Sequence, residues 1–288
     1  RIFVGPNGND GPLCGKSFSP CRTIKFAVHN ISHAWDIILV DYNRQQPYNE
    51  CETCALWKTA IIINKSLSIF GYNGTAFIQC RHTCILFEIQ GNGNHQSRVE
   101  FANLSLSMAQ TAVKYDSTSS DLILINCWLN KNRIGLSLRS SPYVLLRVVN
   151  SVFQDNYEWG VYSKNCANMS SVFMSCHFLS SLVLLETIQA HPIVWQELHA
   201  FIRNCTFRSD VIYPGCLQLL TIKTVSMTTN ITIRKSIFSN SSGLCGVFSI
   251  TEATNNHRKT TFVTLDKLMV ENNWNDRVAV YIEPFFKV

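Results

Sequence analysis

Apolar residues in this chain come in short runs, not in the long stripes of helices. From Asp121 to Leu138 the order is DLILINCWLNKNRIGLSL: an apolar run from Leu122 to Ile125, then Asn126-Cys127-Trp128-Leu129, a polar break, and a second run from Ile134 to Leu138. Versions of this unit recur. Asn103-Leu104-Ser105-Leu106 precedes Thr111-Ala112-Val113, Asn150-Ser151-Val152-Phe153 precedes Trp159-Gly160-Val161, and Ser175-Cys176-His177-Phe178 precedes Leu182-Val183-Leu184. Asn204-Cys205-Thr206-Phe207, Lys235-Ser236-Ile237-Phe238 and a degenerate Leu268-Met269-Val270 open three more. The small-residue position of the second run falls at Ala112, Gly135, Gly160, Leu182, Leu217, Gly246 and Ala279, in steps of roughly 22 to 35 residues. A period of that size denotes a solenoid, a propeller or an array. The units are short strands with no helical period between them, and the two-residue hairpin signals of a propeller are missing. That predicts an all-β parallel β-helix, whose coils bury their apolar faces only by stacking.

Side chains alternate in and out along a strand. If Cys127, Ser151, Cys176, Cys205 and Ser236 point inward, Leu129, Phe153, Phe178, Phe207 and Phe238 do too, as a ladder through the core. The preceding asparagines then face out. The competing reading is an internal asparagine ladder, which would bury those amides.

The chain reads as a single domain over residues 1–288, with a strand, loop and capping helix in 1–35 and coils over 36–288. Residues 1–21 run from a short strand into a Gly/Asn/Asp turn cluster, where Cys14 and Cys21 bracket a small loop. Ile24, Ala27, Val28 and Ile31 follow at helical spacing, with Thr23 as N-cap. Such a helix suits the open end of a β-helix, which exposes apolar side chains and unpaired strand groups.

A strand ending at Asp41 and the stretch Ile63-Asn64-Lys65-Ser66-Leu67-Ser68-Ile69-Phe70-Gly71, followed by Phe77-Ile78, complete a recognisable order. It resembles the N-terminal cap and first coils of right-handed parallel β-helix proteins, the pectin lyase-like superfamily, and the later Asn-Cys-x-Phe units resemble that superfamily's stacked coils. The resemblance implies the fold over nearly the whole chain. It leaves function open among lyases, hydrolases, esterases, adhesins and surface proteins.

The chain has 288 residues, 46% hydrophobic and 15% charged, with a net charge of +6. Basic residues are scattered, which argues against nucleic acid as a partner. No apolar run reaches the ~18 residues of a membrane span. Twelve cysteines and eight Asn-x-Ser/Thr sequons, at Asn30, Asn64, Asn73, Asn103, Asn168, Asn204, Asn230 and Asn240, point to an oxidising, glycosylating route and an extracellular protein. Asn73, Asn168 and Asn240 are read as lying in turns. Expected bridges are Cys14–Cys21, two between the Cys51/Cys54 and Cys80/Cys84 pairs, and Cys216–Cys245. Four thiolates at Cys51, Cys54, Cys80 and Cys84 would alternatively suit zinc. Cys127, Cys166, Cys176 and Cys205 stay open between thiols and bridges.

The superfamily's enzymes use clustered carboxylates with a basic residue near by, and the polygalacturonase-like and methylesterase-like signatures are missing from this sequence. No Asp-Asp pair occurs. Glu271 and Asp276, around Asn272, Asn273 and Asn275, read as a polar turn with oxygen ligands at most. His177 beside Cys176 would sit on the opposite side of its strand. The expectation is a non-catalytic recognition or adhesion module without a cofactor, part of a larger cell-surface or matrix glycoprotein continuing after Val288. It would bind a protein or glycan ligand. A carbohydrate-active enzyme, either lyase or hydrolase, is the alternative; a carboxylate cluster along one groove would favour it. A structural spacer is third. Partner binding is expected on the inserted loops Glu186–Leu198 and Arg208–Gly215, through His191, Ile193, Trp195 and Tyr213, or failing that around Phe285 and Phe286.

Overall fold

The computed structural model describes residues 1–43, 45–52, 54–55, 58–80, 83–91, 97–117, 120–139, 143–187, 197–209, 219–224, 228–239, 248–252, 260–271 and 280–282. Among them the strands build three parallel sheets of ten, nine and nine strands, each in chain order along the stack. One coil visits sheet one, sheet two and sheet three in turn. Leu67–Tyr72, Ala76–Gln79 and Ile85–Gln90 make such a coil, and Ser97–Ala102 returns to sheet one. This is the right-handed parallel β-helix that the repeat and the resemblance imply.

Alternation sets the core as expected. Cys127, Ser151, Cys176, Cys205 and Ser236 are buried, and so are Leu129, Phe153, Phe178, Phe207 and Phe238. The rings form a ladder, with centroids 5.0 Å apart for Phe153–Phe178, 4.8 Å for Phe178–Phe207 and 4.7 Å for Phe207–Phe238. Strands in a sheet lie ~4.8 Å apart, so successive rungs deliver rings at stacking distance. His177 faces solvent while Cys176 is buried, so the two do not form a nucleophile pair.

Both asparagine arrangements occur, at different corners. Between sheets one and two, Asn103, Asn126, Asn150 and Asn204 adopt φ of 49° to 54°. Asparagine tolerates this left-handed turn better than most residues. Each backbone N–H then reaches the next coil, as Asn126 does to the Val149 carbonyl at 3.0 Å. Their side chains lie outside. Between sheets two and three, Asn132 and Asn156 are buried instead. Asn156 donates to the Leu129 carbonyl at 3.0 Å and to the Ser181 hydroxyl at 3.1 Å, while Asn132 donates to the Asn156 carbonyl at 3.1 Å. Buried amides need such partners.

Register departs from the sequence reading beyond Leu182. Val183 pairs with Leu220, so the residue beside Leu182 is Leu219 and not Leu217. The inserted residues shift the phase. Gly246 lies outside the described residues.

At the N-terminal end, Thr23 caps a turn of α-helix, Ile24–Phe26, its hydroxyl accepting from the Phe26 N–H at 3.1 Å. The chain then continues as a π-helical turn, Ala27–Ile31. Two carboxylates fix this lid. Asp10 accepts from the Thr23 hydroxyl and backbone, and Glu50 accepts from the N–H groups of Ile24 and Lys25. Disulfides join Cys14 to Cys21, Cys51 to Cys80 and Cys54 to Cys84.

The outer face of sheet one carries an uninterrupted apolar row. Phe3, Leu39, Phe70, Ala102, Ile125, Val149 and Met174 stand side by side on seven successive strands, all partly exposed. Arg203, Arg234 and Asp266 continue it.

Candidate functional site

One outward row of sheet three is polar over four coils, where the Phe3–Met174 row of sheet one is apolar. Register places Glu88, Lys114, Ser137 and Tyr162 in one straight row across four coils. Lys114 Nζ lies 2.7 Å from Glu88 Oε1 and 3.2 Å from Asp116 Oδ2. Thr59 donates its hydroxyl to the other Glu88 oxygen. Burial pulls Glu88 toward its neutral form, but the Lys114 ammonium and the Thr59 hydroxyl outweigh that, and its pKa falls below the ordinary carboxyl value. Burial likewise pulls Lys114 downward, and Glu88 and Asp116 reverse it, so its pKa rises. Near neutrality Glu88 and Lys114 are therefore ionised and paired with each other. Neither is poised to exchange a proton at that pH, as a general acid or base must be.

Further along the row the chemistry turns to rings and cations. The Arg139 guanidinium lies 5.1 Å from the centre of the Tyr162 ring. Trp159 packs at 5.6 Å from that ring, tilted by 44°. Arg139 pairs in register with Lys164, and both are exposed. At the adjoining corner, Gln110, Arg133, Tyr157 and Glu158 line a depression of about 350 Å³. Arg133 Nε meets Glu158 Oε1 at 2.6 Å, and Tyr157 is 63% exposed. Flat rings with flanking hydrogen-bonding groups offer a surface for stacking and for directional contacts. The depression and the row together run along the stack, not across it.

None of these residues was singled out by sequence. The residues that were fall elsewhere. Of the two inserted loops, Glu186 and Thr187 belong to the strand Val183–Thr187, Glu197 and Leu198 open Glu197–Arg203, and Arg208 ends Thr206–Arg208. The ladder simply extends further into each insertion than the spacing implied. His191, Ile193, Trp195, Tyr213, Phe285 and Phe286 lie outside the described residues, as do Cys216, Cys245, Asn240 and Asn272 to Asp276.

Among the remaining sequons, Asn30, Asn64, Asn73 and Asn204 are exposed, and Asn103, Asn168 and Asn230 are partly so. Asn73 sits in a turn as expected. Asn168 does not: it opens the strand Asn168–Met174, and its side-chain oxygen accepts from the Glu197 N–H at 2.9 Å.

The sulfurs of Cys51, Cys80 and Cys84 lie within 4.8 Å of one another. With Cys54 they are committed to two disulfides, not to a metal. Cys127, Cys166, Cys176 and Cys205 are buried thiols. Burial pushes Cys127 up to about 12. Cys176 is likewise raised by its hydrogen bond with Cys205 and by burial. Cys127 and Cys176 are therefore poor nucleophiles, while the same hydrogen bond lowers buried Cys205.

No protein-family model matches the sequence, and no curated protein does. The structure is similar to the crystal structure of pectate lyase Pel9A. The match covers 97% of this chain and 78% of that one, with a TM-score of 0.55 and 16% sequence identity. At that identity the likeness is one of fold: this chain has the pectin lyase-like parallel β-helix.

Proposed function

We propose that this chain is an extracellular carbohydrate-recognising β-helix that binds a polysaccharide along the outer face of sheet three. The observation that carries the reading is the row Glu88–Lys114–Ser137–Tyr162 with Arg139, Trp159 and the neighbouring depression. Glu88 and Ser137 are buried and serve as its base; the Tyr162, Trp159 and Tyr157 rings are open to sugar faces and the exposed Arg139 and Lys164 to carboxylates, aligned with the long axis a linear polymer would follow. The net charge of +6 favours acidic sugars. Three disulfides and eight sequons support a secreted or cell-surface setting with N-linked glycans. The likeness to a pectate lyase supports a carbohydrate ligand over a protein one.

Cleavage is the second reading, favoured by the same likeness and by two carboxylates gathered on one lysine. The mutual neutralisation of Glu88, Lys114 and Asp116 weighs against it. Affinity electrophoresis in gels containing polygalacturonate, alginate or dextran tests both readings. Retardation by an acidic polymer is expected, and Tyr162→Ala should reduce the affinity about tenfold, ~1.4 kcal/mol. Unretarded migration in every gel sinks the binding site. Ultraviolet-absorbing unsaturated product, above a heat-killed control, makes the protein a lyase.

A further inference from the structure

We infer that Cys176 and Cys205 close a further disulfide in the secreted protein, joining two neighbouring coils that the ring file already packs. The inference rests on the secreted setting proposed above. Register brings the pair together. His177 pairs with Thr206, so Cys176 and Cys205, one residue earlier, stand side by side on adjacent rungs. Both are buried, and the next inward residues, Phe178 and Phe207, stack at 4.8 Å. Rungs ~4.8 Å apart set the two α-carbons within the roughly 4.4–6.8 Å that a disulfide spans. Cys51 and Cys80 already join neighbouring coils in this way, with α-carbons 5.0 Å apart and the same sequence separation of 29. The Cys205 sulfur also leans toward the coil of Cys176. It lies 3.6 Å from the Phe173 carbonyl and hydrogen-bonds the Cys176 sulfur.

No other two of the four described thiols are so placed. Cys127 stands between Leu104 and Ser151, and Cys166 pairs with Thr187. Closing the bridge also orphans no buried acceptor. The Cys176 thiol donates to the Met174 carbonyl and the Cys205 thiol to the Arg203 carbonyl, each at 3.3 Å. Those carbonyls keep the backbone N–H groups of Asn150 and Ser175, both at 2.9 Å. The bond forms by exchange with an external disulfide, either a small molecule or a thiol oxidoreductase of the secretory route. One cysteine thiolate attacks that disulfide and displaces one thiol, and the second cysteine then displaces the other. The two cysteines lose two protons and two electrons, and the oxidant's S–S bond becomes two S–H bonds. Both sulfurs are covered in the finished core, so the exchange takes place before the coil carrying Cys205 docks.

Peptide mapping of the secreted glycoprotein tests this, with thiols alkylated on denaturation in mild acid and digestion without reduction. Cutting after Phe173 separates Cys166 from Cys176. The expected product is a Cys176 peptide joined to a Cys205 peptide, lighter by two hydrogens than the two together. The bridges Cys51–Cys80 and Cys54–Cys84 are the internal reference. If they are closed while Cys176 and Cys205 are alkylated, the inference fails and the secreted setting stands. If they are open as well, the setting fails and takes the inference with it. A link from either cysteine to a different one also overturns the pairing. Cys176→Ser should expose Cys205 to full alkylation and leave circular dichroism unchanged, because Ser151 and Ser236 fill the same inward row. A Cys205 that stays blocked in that variant belongs to another bridge and sinks the assignment.

Discussion

Between Cys51 and Cys84 the stack is cross-linked by two disulfides, whereas from Phe153 to Phe238 a file of rings holds the equivalent part of the core. One inward row of sheet two passes through both regions. Register runs it from Tyr48 through Ile78, Leu106 and Leu129 to Phe153, Phe178, Phe207 and Phe238. The first strand of that sheet, Tyr48–Asn49, is only two residues long, and its ring spends its hydroxyl on the Asp41 carbonyl. So short a strand has little ladder to hold its register, and a covalent tie supplies what packing does not. Where the strand reaches three residues and the same ring recurs, packing alone suffices.

The sharpest way to break this comparison is Phe178→Ala, which removes the ring between two stacked neighbours. The expected loss is about 3–5 kcal/mol, as for other buried aromatic truncations. Urea unfolding measures it, and a loss below about 1 kcal/mol would show that the ring file is not what holds those coils. Next in size is the change of Cys51, Cys54, Cys80 and Cys84 together to Ser, since either bridge alone closes nearly the same loop. Opening both cross-links, of sequence separation 29 and 30, should cost about 3–4 kcal/mol. Because stability in a stacked repeat is local, amide exchange should accelerate over residues 45–90 and stay unchanged beyond 150. Uniform acceleration would mean that the two regions unfold as one.

The smallest effect is a response to acid confined to the cross-linked region, since Glu50 and Glu88 are the buried carboxylates among the described residues. Burial holds Glu50 above its ordinary 4.5, against the pull of the Ile24 and Lys25 N–H groups. Its contribution is thus complete below 4.5 and is lost as pH rises through its folded value. Glu88 is held below 4.5, so its contribution is present above that and is lost as pH falls through its folded value. Mild acid should therefore slow exchange around Ile24, and stronger acid should speed it around Lys114. Glu50→Gln should abolish the first effect alone. The opposite order would reverse the two assignments.

The sequence carried the coil, the inward Phe178 row, the Thr23 cap, the Cys14–Cys21 bridge and the joining of the Cys51/Cys54 pair to the Cys80/Cys84 pair, because each rests on local alternation or short spacing. It missed the buried Asn132–Asn156 ladder. That pair answers to Ser181 in the next coil, so the repeat there is of hydrogen bonding and not of residue type. The Glu88–Lys114–Asp116 cluster was missed for a related reason. Glu88 stands a full coil before Lys114 and Asp116 in the chain, whereas the superfamily's carboxylate signatures are contiguous. Spacing by one coil period, not adjacency, is the signal that would have found them. Leu217 was misplaced because an insertion between coils resets the count, and only hydrogen-bond register restores it.

The left-handed corners at Asn103, Asn126 and Asn150 have a mechanical consequence. Each hands its N–H to the following coil, along the stack axis that the strand pairings of the three sheets share. All inter-coil backbone bonds therefore point along one axis. Tension along that axis loads a whole rung of all three sheets together, and a rung yields as a block. A pull on a free end across the axis instead peels the bonds singly, corner by corner. The molecule should be stiff as a rod and easy to unwind as a thread, with the two disulfides near Cys51 and Cys80 stopping the thread at one end.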